Sequence, residues 1–219
     1  MQLPIIRQEL QDEAYRLHKI YGNSSLEPII GGGQIQNPDM MFIFMNPTAK
    51  NIASFPSWTG IRTPWLGTKH VWKIFHSIGK LSTNIYEIIA KIRPEEWTTL
   101  FAEEVYRHVA ENNMYITNLA KCTQEDARPL SNNIFKDYLA LMYREIELVK
   151  PKYIISFGNQ VSSILLQKSI SVSTYDHLDK EILTIENQNY DVFPTYYPVG
   201  QGMRNLPMAI ERIKMITQN

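Results

Sequence analysis

Residues 41–45, 114–117, 152–157 and 191–196 are short runs of apolar, β-branched and aromatic residues, and each of the first three is followed by a loop and then by apolar residues at helical spacing. That alternation constrains the chain more than any other feature, since strands interleaved with helices build a largely parallel sheet covered on both faces. The helical candidates are residues 9–20, 69–78, 94–111, 133–149, 160–167 and 206–216. Within 133–149, Ile134, Tyr138, Leu141, Met142, Ile146 and Val149 recur at three- and four-residue spacing and form one core-facing stripe. The expected fold is α/β: a three-layer α/β/α sandwich with a central, mainly parallel four-stranded sheet. No Ser/Gly/Pro-rich linker, internal repeat, low-complexity tract or composition break divides the 219 residues, so residues 1–219 read as one domain.

The charge balance restricts the partners. With 22 basic and 22 acidic residues the formal charge is zero, so a polyanion would have to be met by a local patch, not by the field of the whole molecule. Cys122 is the only cysteine. That excludes disulfide frameworks and any cysteine-only metal or iron–sulfur site within one chain, and fits a reduced, intracellular compartment. The first residues are polar (Gln8, Glu9, Gln11, Asp12, Glu13), and no apolar run approaches the length that spans a bilayer. A cytoplasmic protein with no membrane partner is expected.

Open α/β sheets bind ligands at the carboxyl ends of their strands. Residues 41–48 read Met-Phe-Ile-Phe-Met-Asn-Pro-Thr, an apolar strand running into Asn46-Pro47 that delivers a carboxamide to that edge. Asn118, Lys121 and Cys122 follow the second strand, and Gly158 and Asn159 the third. Tyr197, Pro198, Gly200, Gln201, Gly202, Met203 and Arg204 follow the fourth. The set is rich in amides, aromatics and small turns, without paired carboxylates, a Ser-His-Asp order or a His cluster. It suits a polar planar ligand better than acyl transfer or metal chemistry. Asn46 and Asn118 fit plain loop caps equally well. Ile30-Gly31-Gly32-Gly33 reads as a turn, because no Lys-Ser/Thr pair follows to make it a phosphate loop.

Five segments stand in the order and spacing of the uracil-DNA glycosylase superfamily. They are Asn46-Pro47 after its strand; Thr59-Gly60 through Pro64-Trp65-Leu66-Gly67; Tyr115-Ile116-Thr117-Asn118-Leu119-Ala120-Lys121-Cys122 with Arg128-Pro129; the stretch from Lys150 to Gly158; and Pro194-Thr195-Tyr196-Tyr197-Pro198. The chain resembles that superfamily over residues 26–214, with the motif order of its iron–sulfur branch. That branch carries four cysteines, so Cys122 alone implies no cluster and no cofactor. Asn46-Pro47 instead resembles the motif of the mismatch-specific and single-strand-selective branches. Tyr197 stands where many relatives place a base-contacting His.

The resemblance implies a pocket for a nucleotide flipped out of DNA. In it Trp65 would stack on the base, a contact of about 1–3 kcal/mol, and Asn118 would read the Watson–Crick edge, since a carboxamide offers one acceptor and two donors. Asn46 would orient water but cannot hold a proton as a base does, leaving a dissociative path with the departing base anion stabilised by fixed donors. Tyr197 would donate to the base in place of His. Gly158-Asn159 would rest a phosphate at a helix start, Gly200 and Gly202 would let the backbone approach DNA, Met203 would wedge into the vacated stack, and Arg204 would meet phosphate or the orphaned base. Lys69, His70, Lys73, Lys121 and Arg128 form either a local basic patch or a dispersed solvated surface. Trp65 equally fits a core Trp, and residues 198–207 a loop that opens the last helix and covers the core.

The expected partner is DNA containing a damaged base, met by a monomer. The implied activity is monofunctional: hydrolytic removal of uracil or another deaminated base in base excision repair, with no lysine placed as a Schiff-base nucleophile. A superfamily member that binds damaged or single-stranded nucleic acid without cleaving it is the alternative, motivated by Tyr197 and by Phe44 and Thr48 where relatives often have Gly. A flavodoxin-like nucleotide-binding module needs only the α/β pattern.

Overall fold

The computed structural model describes residues 8–128, 130–176 and 178–218, and of residues 200–202 the backbone alone. Six strands form one sheet: β1 (Gly32–Gly33), β2 (Met40–Phe44), β3 (Met114–Asn118), β4 (Tyr153–Phe157), β5 (Glu181–Ile185) and β6 (Gln188–Thr195). The order is β1-β3-β2-β4-β6-β5. The central four strands run parallel, and β1 and β5 are antiparallel edges.

The sheet is therefore mixed and six-stranded, and this corrects the expectation of a mainly parallel sheet of four. Gly31-Gly32-Gly33 is not simply a turn. Gly32 and Gly33 pair with Ile116 and Tyr115 as an edge strand, which two residues without side chains give no pattern to reveal. β5 hairpins onto β6 through a turn in which Glu186 takes a φ of 51°, so no glycine marks it.

Eight helices surround the sheet among the described residues: α1 (Gln8–Tyr21), α2 (His70–Ser77), α3 (Thr83–Lys91), α4 (Thr99–Glu111), α5 (Asn132–Asp137), α6 (Leu139–Val149), α7 (Asn159–Leu165) and α8 (Leu206–Thr217). Side-chain caps start three of them. Ser82 accepts from Ile85 N at 3.4 Å, Thr98 from Phe101 N at 3.1 Å and Ser131 from Ile134 N at 3.5 Å. The Thr98 cap explains why the expected helix 94–111 divides, leaving Pro94–Glu96 as a separate short 3-10 turn. The expected helix 133–149 is interrupted at Tyr138. Lys150, left-handed at φ 51°, ends α6 ahead of Pro151.

Strand alternation sends side chains to two cores. On one face Phe42, Phe44, Ile116, Phe157 and Phe193 pack with Trp72, Tyr106 and Ile213 of α2, α4 and α8. On the other Met41, Ile43, Tyr115, Ile154 and Val192 meet Leu17, Phe135, Met142 and Val161 of α1, α5, α6 and α7. All five residues of β2 are buried, as a central strand covered on both faces requires. Phe42 meets Phe75 edge-on with centroids 5.0 Å apart, a pairing worth about 0.5–1.5 kcal/mol beyond its buried area. Among the described residues no helix is long and apolar enough to cross a membrane.

Candidate active site

Because β3, β2, β4 and β6 are adjacent and parallel, the loops that leave them open on one rim. The first two loops are fastened to each other. Beyond the last strand residues, Leu119 N donates to Phe44 O at 2.8 Å, Ala120 N to Met45 O at 3.0 Å and Gln124 N to Pro47 O at 3.0 Å. Thr48 and Gln124 then form a parallel bridge. Asn46 lies inside this seam. It is half-buried, and its Nδ2 donates to Pro47 O at 3.1 Å, which commits the amino end of the carboxamide and leaves Oδ1 as its accepting end.

Asn118 closes β3, in register with Phe44, and paired residues of parallel strands project to the same side of a sheet. Only 2% of it is exposed. Its Oδ1 is buried without a hydrogen-bond partner. Such an acceptor costs about 1–3 kcal/mol, and in a folded protein an orphan of this kind points to a ligand or a water.

Trp65 approaches from the 59–68 loop. Its ring meets Phe44 edge-on, with centroids 4.8 Å apart and planes at 70°, and Phe44 stacks on Phe157 at 4.3 Å. Phe44 is thus the common floor beneath Trp65 and beside Asn118. Trp65 has a φ of 68°, a left-handed conformation that costs a large side chain about 1–3 kcal/mol. Three donors converge on its backbone carbonyl and hold it there: Thr68 N at 3.1 Å, Thr68 Oγ1 at 2.7 Å and Trp72 Nε1 at 3.1 Å. Its own Nε1 is buried and unpartnered.

Gly158 and Tyr197 meet where β4 and β6 end. Gly158 has a φ of 88°, and a Cβ added there would lie 3.2 Å from Tyr197 Cβ, so the missing side chain is what lets the tyrosine close in. Burial pushes the Tyr197 phenol up to about 12. It is a neutral donor at physiological pH. Asn159 is turned to other work, since its Oδ1 accepts from Val172 N at 2.9 Å and ties the start of α7 to the 171–174 turn. Gly200, Gly202, Met203 and Arg204 lie in a 3-10 turn, Gly200–Asn205, that leads into α8. Met203 is 37% exposed and Arg204 is exposed. Asn205 makes no side-chain cap for α8.

Lys121 was expected at the surface, in a basic patch or on a dispersed solvated face, and there the structure differs. Lys121 is fully enclosed, 2.5 Å from Glu145 Oε2, and burial pulls its ammonium below the usual lysine range while Glu145 acts in the opposite sense. His70 and Lys73 are exposed on α2, Lys69 Nζ donates to Ala90 O at 2.9 Å, and Arg128 pairs with Asp126 at 3.0 Å. Pro129 lies outside the described residues.

Two supporting side chains in the loops carried no signal. Asn51 donates from Nδ2 to Thr63 O at 2.9 Å and accepts from Ala53 N at 3.0 Å. Arg62 donates to Ala53 O, and to Phe55 O and Trp58 O at 3.0 Å each, bracing the segment that carries Trp65. Glu145 did have a signal: it sits four residues after Leu141 and three after Met142, inside an apolar stripe, where a lone carboxylate needs a buried partner.

The residues around Cys122 do not suit an iron–sulfur cluster. Its neighbours are Tyr138 and Gln124, and burial pushes the thiol up. Tyr21 and Tyr138 pack ring to ring beside it, with centroids 6.5 Å apart. The described residues contain no group of three or more His, Cys, Asp or Glu able to hold a metal ion. A cavity of 320 Å³ opens beside Gly22, Asn23 and the 124–130 loop, one loop away from Asn46, whereas Asn118 is sealed.

No curated protein matches the chain. Residues 30–212 match the family model described as the uracil DNA glycosylase superfamily.

Proposed function

Since the chain belongs to the uracil DNA glycosylase superfamily, a relationship that carries hydrolase-type activity and nucleic-acid binding in general terms, we propose that it is a monofunctional DNA glycosylase. It flips a deaminated base, uracil first among them, out of DNA and hydrolyses the N-glycosidic bond, acting in the cytoplasm as a monomer in base excision repair. The observation that carries this reading is the buried, unpartnered Oδ1 of Asn118. That acceptor matches the ring N–H of uracil, while the amino end of the same amide matches the adjacent carbonyl. Cytosine offers the wrong pattern at both atoms.

The steps fall to separate residues. Trp65 replaces the stacking that the base loses on extrusion. Asn46 holds water through Oδ1 beneath the anomeric carbon. As an amide it does not take the proton, so C–N cleavage runs ahead of water attack and a sugar cation forms first. The departing base anion is stabilised by fixed donors, the Asn118 amide and the Tyr197 hydroxyl. Gly158 opens α7 with its own N–H spent on Thr195 O at 2.7 Å, and the backbone amide of Asn159 behind it receives a phosphate. The turn containing Gly200 and Gly202 follows the DNA, with Met203 as wedge and Arg204 on phosphate. Lys121, spent on Glu145, offers no nucleophile for strand cleavage. The site combines the motif order of the iron–sulfur branch with an Asn-Pro motif and no cluster.

A second reading, a member that binds damaged or single-stranded nucleic acid without cleaving it, is favoured by one observation: Asn118 is only 2% exposed, in register with an equally buried Phe44. Oligonucleotides carrying uracil, hypoxanthine, xanthine or mismatched thymine, single- and double-stranded, are incubated with the protein and treated with alkali to reveal abasic sites. Release of uracil that is lost in Trp65→Ala and Asn118→Ala supports the glycosylase. Tight binding with no product from any base establishes the second reading.

A further inference from the structure

We propose that the buried Lys121–Glu145 pair is a positioning device for base recognition, locking the Asn118–Leu119 peptide from behind the sheet so that the Asn118 side chain leaves the strand in one direction and its carboxamide stands in one place against the base. This rests on the reading of Asn118 as the residue that meets the base.

That peptide is held from both ends. Its N–H, from Leu119, donates to Phe44 O at 2.8 Å, and its carbonyl, from Asn118, accepts from Lys121 Nζ at 2.6 Å. Fixing the peptide plane fixes the backbone torsion at Asn118 and with it the direction of the Cα–Cβ bond. The ammonium is in turn immobile. Its three donors go to Asn118 O, to Thr117 Oγ1 at 2.5 Å and to Glu145 Oε2 at 2.5 Å. Glu145 Oε1 accepts from Tyr115 OH at 2.8 Å and Thr117 Oγ1 at 2.9 Å.

The network lies across the sheet from the carboxamide. Tyr115 packs in the α6-side core, whereas Ile116 and Phe44 pack in the opposite one, and by strand alternation Thr117 follows Tyr115 and Asn118 follows Ile116. Lys121 and Glu145 therefore act through the backbone and touch no substrate. The rigid backbone sets where that carboxamide stands at the rim, since Asn118 Oδ1 has no local partner to place it, while rotation about Cβ–Cγ lets its two ends match the base. Stability alone does not call for this pair, since buried ion pairs are often matched by uncharged side chains of similar size.

The test is a mutant cycle read as discrimination between uracil- and cytosine-containing duplexes, measured both as kcat/KM for base release and as equilibrium affinity. Lys121→Met with Glu145→Gln removes both charges and keeps an acceptor for Tyr115 and Thr117. The double variant is expected to melt within a few degrees of wild type and to lose roughly tenfold or more in discrimination. In the Asn118→Ala background the same two changes should cost nothing further, because coupled residues are non-additive. Undiminished discrimination in the double variant overturns the proposal, as do losses that multiply in the triple variant, which is the mark of a merely structural role. If the double variant unfolds at the assay temperature, Thr117→Val, which removes the hydroxyl between the two charges at nearly the same shape, goes through the same cycle and is judged the same way. A wild-type protein that prefers uracil in binding but releases no base sinks the hydrolytic reading alone, and the affinity cycle still decides this one. No preference in either assay sinks both.

Discussion

Asn46 can orient a water molecule but cannot accept its proton, so its removal should act on the chemical step and not on DNA affinity. Asn46→Ala is expected to lower single-turnover base release by roughly tenfold or more with the dissociation constant for lesion duplex nearly unchanged. Unaltered turnover would take Asn46 out of the mechanism. Tyr197 carries a different signature. Its folded value of about 12 lies above the ordinary 10, so the protonated phenol favours the fold. That contribution is complete below pH 10 and is lost as the pH rises toward 12. Urea melts at pH 9 and pH 11 should therefore show a steeper loss of stability in wild type than in Tyr197→Phe, and a parallel loss in both would refute the assignment. Cys122, buried with its thiol pushed up, should react with a thiol reagent only as fast as the protein unfolds.

At the level of elements, the rim is set by how strand ends are tied together. Gly158 joins β4 to β6 through its N–H, which donates to Thr195 O at 2.7 Å, and a Cβ added at its φ of 88° would lie 3.2 Å from Tyr197 Cβ, so Gly158→Ala meets both strain and crowding. It should destabilise the fold by roughly 1–3 kcal/mol and lower base release as well, read by thermal melts and turnover together. The four central strands were legible in the sequence because β-branched and aromatic runs declare themselves. β1 was not, having no side chains to form a pattern, and β5 was hidden by a turn that uses Glu186 instead of glycine. Helix α3, started by Ser82, went unrecognised between two stronger patterns. Of the proposed site residues, Asn46, Trp65, Asn118, Gly158 and Tyr197 were all legible as positions after strands or in the aromatic loop, and Phe44 meets Trp65, stands in register with Asn118 and stacks on Phe157, next to Gly158. What was not legible was depth. A lysine four residues beyond a strand reads as surface charge, and only its partner inside the apolar stripe of α6 shows that Lys121 faces inward.

For the molecule as a whole, zero formal charge means that no long-range field draws it to DNA, and His70, Lys73 and Arg204 form at most a local footprint. The logarithm of its affinity for undamaged duplex should fall with the logarithm of salt at a slope of about −4 or shallower, the value for a handful of phosphate contacts. A steep slope would point to a basic surface beyond these residues. All four parallel strands also aim their carboxyl ends one way, toward the rim that carries the proposed site, while Met40, Lys80, Lys152 and Tyr153 lie at the opposite rim, away from the proposed DNA contacts. Combined with a sealed single thiol, this makes the protein a natural blank for spectroscopy. One cysteine introduced at Lys80 would be the sole labelled position, and a fluorophore there could report tumbling and encounter with DNA without standing in the path of the strand.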